Sequence, residues 1–325
     1  MRSNNCMTST LVLMILIFPF FLSASTPLTI NSTDNDDNIC SKKEKYCEGK
    51  RTFKDGSSYE GEFKYGEPHG WGILTWPDGD VYEGEFEDGF RHGKGEQRFV
   101  NGDVYAGNFV YGYMQGEGSY HWKGGNTYTG GFFRDFINGK GSYLASNGES
   151  YEGEWKNGLA DGKGVYQLLD GSRYLGHYKE GLRHGSGVIN WTNGTVTNGK
   201  WKNGLMNNRC TITFENGDQL SAKWQRGELN GQAELSRKSG DTLKGSIGQI
   251  EFMLTENTAT AEASAETLAT LWYILAVEKK INEKYEIAQE YLEKARTYCP
   301  ASSDLGKLIH QQKQIVGQKI AERPF

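Results

Sequence analysis

The chain has 325 residues, 43 of them glycine and only six proline, with a formal net charge of −5. Glycine this abundant would suit a disordered chain, but an aromatic content of 13% and a strict internal register exclude that class. No concentrated basic footprint exists, so nucleic acid is excluded as a partner.

The first element is a secretory signal over residues 1–25. Arg2 and the amino terminus supply positive charge, Leu11 to Leu22 is uninterruptedly apolar, and Ser23-Ala24-Ser25 offers small residues for cleavage near Ser25. The apolar run contains Pro19 and is too short for a hydrocarbon core needing about 20 residues. The chain is therefore expected on the secretory route, secreted or lumenal. Residues 26–47 form a polar, acidic arm.

Secretion gives the cysteines meaning. Once Cys6 leaves with the signal, Cys40, Cys47, Cys210 and Cys299 remain, an even number in an oxidising route. Three pairings are open. Cys40 with Cys47 is the local choice, and Cys210 with Cys299 would then staple the late part of the chain to its C-terminal end. Asn31, Asn190 and Asn193 head glycosylation triplets.

Residues 48–252 are expected to be one repetitive array. From Asp55 the chain repeats every 23 residues, with copies beginning at Asp55, Asp78, Asn101, Gly124, Asn147, Asp170, Asn193 and Asn216 and a fading ninth at Ser239. A fixed period of this kind means one supersecondary unit stacked on its neighbours. Numbering from the opening Asp/Asn-Gly, position 5 is Tyr59, Tyr82, Tyr105, Tyr128, Tyr151 and Tyr174 in the first six copies. Position 7 is Gly, and position 9 is Phe63, Phe86, Phe109, Phe132, Trp155 and Tyr178. Polar residues such as Glu60 and Glu62 alternate with them, which describes a strand with one aromatic and one wet face. The second half alternates too, with Gly at position 18 and apolar pairs such as Leu74/Trp76 at positions 20 and 22. A turn-rich stretch, Tyr65 to Gly70 in the first copy, separates the halves, and Asp-Gly or Asn-Gly marks each boundary as a tight turn.

Each copy therefore reads as a β-hairpin. The fold class is mainly β: an elongated single-layer antiparallel sheet of stacked hairpins with a small helical appendage. Glycine weakens a strand, and here two per copy fall on the aromatic face, where they leave room for neighbouring rings to lie across the sheet and pack edge-to-face. The pattern Y-x-G-x-F/W followed by H/D-G-x-G at this period resembles the MORN repeat (membrane occupation and recognition nexus). That resemblance implies an adaptor or a self-associating protein. The seventh and eighth copies depart from it, with Thr197 and Leu220 at position 5 and Cys210 and Ala233 at position 18.

Around Thr258 the period becomes helical, and residues 258–320 are expected to be a helical cap. Leu268, Leu271, Trp272, Leu275 and Ala276 mark a first helix, Ala288, Leu292 and Ala295 a second that stops at Pro300, and Ser303 the N-cap of a third. The first two helices are similar to a tetratricopeptide repeat at Trp272, Leu275, Ala276, Ala288, Leu292, Ala295 and Pro300, although Lys279 stands where an aromatic is usual. The expected role is to cover the exposed last strand of the sheet, with a peptide-binding groove as the alternative.

Catalysis is not expected. His69, His92 and His184 recur at position 15, but equivalent residues of adjacent hairpins stand about 9.5 Å apart and cannot share a metal ion. Paired carboxylates such as Glu83/Glu85 repeat along an open face, whereas a catalytic pair is needed once, in a cleft. No cofactor, metal or small-molecule substrate is expected. The reading is a non-catalytic scaffold that binds a partner protein, or itself, through the tyrosines of position 5 and the aromatics of position 9. The alternative is anionic lipid, met by the basic late copies at Lys200, Lys202, Lys223, Arg226, Arg237 and Lys238. Charge is uneven: Asp55 to Lys123 carries a net −8 and Asp170 to Ile250 a net +4.

Overall fold

The computed structural model describes residues 43–256, 261–281 and 284–321. The signal, most of the polar arm, Asn31 and Cys40 lie outside them. The strands form one open antiparallel sheet of 18, and the described chain divides into two compact units, one ending at Leu159 and one beginning at Ala160.

The first unit holds β1 (Cys47–Thr52), β2 (Ser58–Lys64), β3 (Glu67–Thr75), β4 (Val81–Glu87), β5 (Phe90–Arg98), β6 (Val104–Val110), β7 (Tyr113–His121), β8 (Thr127–Phe133), β9 (Phe136–Leu144) and β10 (Ser150–Lys156). Each pairs antiparallel with the next in the chain. The tightest turns fall inside the repeats. Tyr65 and Gly66 both take positive φ, 51° and 82°, the mirror-image turn whose twist suits a two-residue hairpin. The strand after it already begins at Glu67, so the stretch expected as a long turn is mostly sheet. The Asp-Gly boundaries are the wider loops. Trp76 accepts from Gly79 N–H at 3.0 Å and donates to Asp80 O at 2.9 Å, with Asp78 Oδ1 accepting from Asp80 N–H at 3.1 Å.

The second unit holds β11 (Leu159–Gln167), β12 (Arg173–Lys179), β13 (Leu182–Asn190), β14 (Val196–Lys202), β15 (Leu205–Thr213), β16 (Gln219–Gln225), β17 (Glu228–Ser236) and β18 (Thr242–Gly245), again paired in succession. Four helices follow: α1 (Ile247–Glu256), α2 (Ala261–Ile281), α3 (Tyr285–Thr297) and α4 (Asp304–Ala321). The helical part opens ahead of the expected Thr258. Its cause is local: Ser246 Oγ accepts from Gln249 N–H at 3.3 Å while Gln249 Oε1 accepts from Ser246 N–H at 2.8 Å, a reciprocal cap that ends the ninth copy after one strand. Ser303 caps α4 as expected, accepting from Gly306 N–H at 3.0 Å.

The core is made of the repeat aromatics themselves. Tyr59, Tyr82, Tyr105, Tyr128, Tyr151 and Tyr174 have 0% exposure. Tyr82 stands edge-on to Phe86 at 5.1 Å and to Phe109 of the next copy at 4.9 Å, and the other copies of the first unit repeat this contact. The ring lies over two glycines: a Cβ on Gly84 or Gly95 would stand within 3 Å of it. Its hydroxyl donates to Glu85 O at 2.9 Å. That carbonyl is free of the ladder because the register slips between Gly84 and Phe86, a bulge the first copy has between Gly61 and Phe63. Late copies replace ring and glycines together. The eighth has Leu220 at position 5 and pairs Ala222 with Ala233 where others pair Gly with Gly.

Candidate functional site

The twelve rings nominated as a binding face are Tyr59, Phe63, Tyr82, Phe86, Tyr105, Phe109, Tyr128, Phe132, Tyr151, Trp155, Tyr174 and Tyr178, and none exceeds 4% exposure. This corrects the sequence reading. Alternation gave their side of the sheet but not their depth, and overlap with rings one repeat away sinks them beneath the surface. The carboxylates of position 8 have a structural task as well. Glu62 Oε1 accepts from Trp71 N–H at 2.8 Å and Glu85 Oε1 from Lys94 N–H at 3.0 Å, each satisfying a donor at the bulge.

The accessible part of the aromatic side is a row nearer the boundary loops. In the first unit Trp76, Phe99 and Trp122, all at position 22, are half-buried. Trp122 touches Tyr120 at 4.6 Å and Tyr143 at 6.0 Å. Beside them run the exposed loop residues Asp78 and Asn101 at position 1, and the half-buried Asp80 and Asp103 at position 3. Burial raises the pKa of Asp80. Beneath the row lies Arg91, at position 14. Its guanidinium donates to Gln97 Oε1 at 2.6 Å and to Gly112 O, and it sits over Tyr82 at 5.6 Å and Phe109 at 5.0 Å.

In the second unit the same row is covered, by α2. Every residue from Thr267 to Lys279 is buried, as a helix apolar on all sides requires. Three hydroxyls of α2 meet three successive position-1 side chains. Thr267 Oγ1 accepts from Asn216 Nδ2 at 2.9 Å, Thr270 Oγ1 from Asn193 Nδ2 at 3.1 Å, and Tyr273 O–H donates to Asp170 Oδ2 at 3.2 Å. Further along, Glu278 meets Arg183 at 3.3 Å with both side chains 2% exposed or less, and Lys279 Nζ donates to Glu228 at 2.9 Å. Burial raises the Glu278 carboxyl above its ordinary range, with Arg183 opposing. Lys284 and Lys279 together pull Glu228 down to about 2. The lysine that departs from the tetratricopeptide pattern thus holds α2 to the sheet. The helix crosses three repeats and does not lie along the last strand, as the sequence reading had it; Trp191, half of the covered row, touches Tyr273 at 6.0 Å.

The remaining sequence candidates separate. Cys47 is disulfide-bonded. Cys210 and Cys299 are both free, so the expected staple is not formed. Cys210 is buried in space a tyrosine ring fills in earlier copies, its Sγ where a Cβ on Gly199 would be, and burial raises its thiol pKa to about 11. Asn193 is a poor glycan acceptor, because its Nδ2 already donates to α2. Asn190 is exposed at the end of β13. His69 and His92 serve through their carbonyls, which accept the second, longer bonds of Tyr59 and Tyr82 at 3.3 Å.

A family model described as the MORN repeat matches residues 59–81, 82–104, 105–127, 128–150, 151–173, 174–196 and 198–219. Seven MORN repeats thus lie between residues 59 and 219. The MORN match stops at the seventh copy, although the eighth folds as a hairpin too, with Leu220 and Ala233 buried at its positions 5 and 18. No curated protein matches the chain. Among solved structures, it is similar to the TCP10 domain of Danio rerio CPAP in complex with a peptide of STIL, at 14% identity over 62% of this chain and 100% of that one, with a TM-score of 0.34. It is also similar to the TCP domain of SAS-4 (dCPAP) of Drosophila melanogaster in complex with a proline-rich motif of Ana2, at 13% identity over 55% and 84%, with a TM-score of 0.28. Overlaps this low have no bearing on function.

Proposed function

We propose that this protein is a non-catalytic scaffold of the secretory route that binds a partner protein on the aromatic side of its MORN array. The observation that carries the reading is α2 itself: a continuous helix, buried from Thr267 to Lys279, held on three consecutive repeats. The repeats of the array are thus suited to holding polypeptide, and the position-5 and position-9 rings are the rigid frame beneath the contact surface. Its half-buried aromatics Trp76, Phe99 and Trp122 are the residue types that anchor interfaces. In this reading α2 and α3 are structural, and their tetratricopeptide likeness adds no second peptide groove.

Affinity capture from secretory fractions, run with the chain and with its Trp122→Ala variant, tests this. A protein retained by the first and depleted at least fivefold by the second is expected. Retention of nothing, or of the same proteins equally by both, contradicts the reading. The alternative, an anionic lipid surface, is favoured by the exposure of Lys200, Lys202, Lys223, Arg226 and Lys238. Salt-sensitive flotation of the chain with phosphatidylserine vesicles would replace the protein-partner reading by that one.

A further inference from the structure

The α2 seat recurs four repeats earlier. Arg183 and Arg91 both occupy position 14, and each guanidinium donates to the carbonyl of the next copy's position-12 glycine, Gly204 or Gly112. Each also lies over its own position-5 tyrosine and the next copy's position-9 ring. Asp170 and Asn193, which bond α2, correspond to Asp78 and Asn101. Trp191 and Phe214, buried in the second unit, correspond to Phe99 and Trp122, half-buried in the first.

The charged side chains differ copy by copy. Asp80 and Asp103 stand where copies six and seven have Ser172 and Thr195 at position 3, whereas in the third repeat of the seat Gly124 and Asn126 stand for Asn216 and Asp218. Where Gly227 stands late, Asp135 stands early, and Arg91 already has the carboxylates of Asp135 and Asp80 in its field. A second copy of α2 is therefore the wrong occupant, since it would bring Glu278 to a place that has its own acids. It is also buried in its own chain.

We infer that the second to fourth repeats form a seat for a helix of a partner protein, with lysine or arginine where α2 has Thr270 and Tyr273, and apolar residues against Trp122. This deepens the scaffold reading and rests on it. The basic side chains meet Asp78 and Asp103 along the loop edge, and the net −8 of Asp55 to Lys123 draws such a helix in. Because the counter-charge of Arg91 is built into the first unit, the partner needs no acid there.

The probe is a labelled peptide of the α2 sequence, residues 261–281, carrying Thr270→Lys, Tyr273→Lys and Glu278→Gln, titrated by anisotropy against the full chain. Asn at positions 1 and 3 keeps the backbone bonds of the loops, as Asn101 and Asn126 do natively at 2.8 and 2.9 Å, so the pair Asp78→Asn and Asp103→Asn removes charge at the loss only of the bonds that Asn101 and Tyr120 donate to Asp103 Oδ2. Expected are saturable binding, at least tenfold weakening by that pair and by Trp122→Ala, and none by Glu152→Gln with Glu154→Gln on the wet face. The unmodified α2 peptide should bind at least tenfold more weakly. Absence of binding, equal losses from the wet-face pair, or tighter binding of the unmodified peptide would overturn the inference. A chain that captures a Trp122-dependent partner yet ignores the peptide would sink this inference alone and leave the scaffold reading standing.

Discussion

Gly95→Ala is expected to destabilise the first unit by about 3 kcal/mol, the upper end for overpacking a filled core. A Cβ there would stand 2.5 Å from Cε2 and Cζ of Tyr82 and closer still to its hydroxyl. The ring cannot retreat, since it has no exposed surface and is wedged between Phe86 and Phe109. Gly124→Ala is the control: a Cβ there meets nothing within 4 Å and the backbone is not left-handed, so a change within about 0.5 kcal/mol is expected. The eighth copy supplies a rescue, because it carries Leu220 with Ala222 and Ala233 at the same three positions. Tyr82→Leu with Gly84→Ala and Gly95→Ala should therefore cost well under the sum of its parts. Urea midpoints of Gly95→Ala, Gly124→Ala, Tyr82→Leu, Gly84→Ala and the triple change decide it; equal costs for Gly95→Ala and Gly124→Ala would mean that the rings are not held over the glycines.

The second large effect belongs to Glu278 and Arg183. Glu278→Ala should cost about 3–5 kcal/mol in the second unit, because it leaves a guanidinium buried without its counter-charge. Arg183→Met with Glu278→Leu should recover most of that loss, since replacing both members of a buried pair by apolar residues is often neutral. The repeat carbonyl at Gly204 would lose its donors in the double variant, so that change is not expected to exceed the wild type. Thermal unfolding followed by tryptophan fluorescence reports this, since the Arg183 guanidinium lies over Trp201 at 5.7 Å. A double variant as unstable as Glu278→Ala would contradict this.

Much of the fold was legible because each copy repeats the same local choices. Tyr82, Gly84 and Phe86 state the strand and its face, Gly95 states where the ring goes, and Pro300 and Ser303 punctuate the helices. Three things were not. The bulge at Glu85 is invisible to alternation, since a register slip leaves the pattern on either side intact. The depth of Tyr82 depends on Phe109, 27 residues away, and no single copy reveals it. The seat of α2 was half-visible: a helix reading Thr267 to Lys279 is apolar all round, which asks for burial on every side and not for a cap on an edge. The Arg91–Arg183 equivalence also stood in the sequence, at position 14 of copies two and six, but a lone arginine per four repeats reads as surface until its burial is known. The unpaired state of Cys210 follows from its taking a tyrosine's place, which cysteine arithmetic does not consider.

Native-state hydrogen exchange on the full chain tests most directly whether this array holds helices. The amides of Thr267 to Lys279 should share the protection of β12 to β16 and lose it together with those strands when Glu278 is replaced by alanine. Fast, independent exchange of α2 over strands that stay protected would contradict the account.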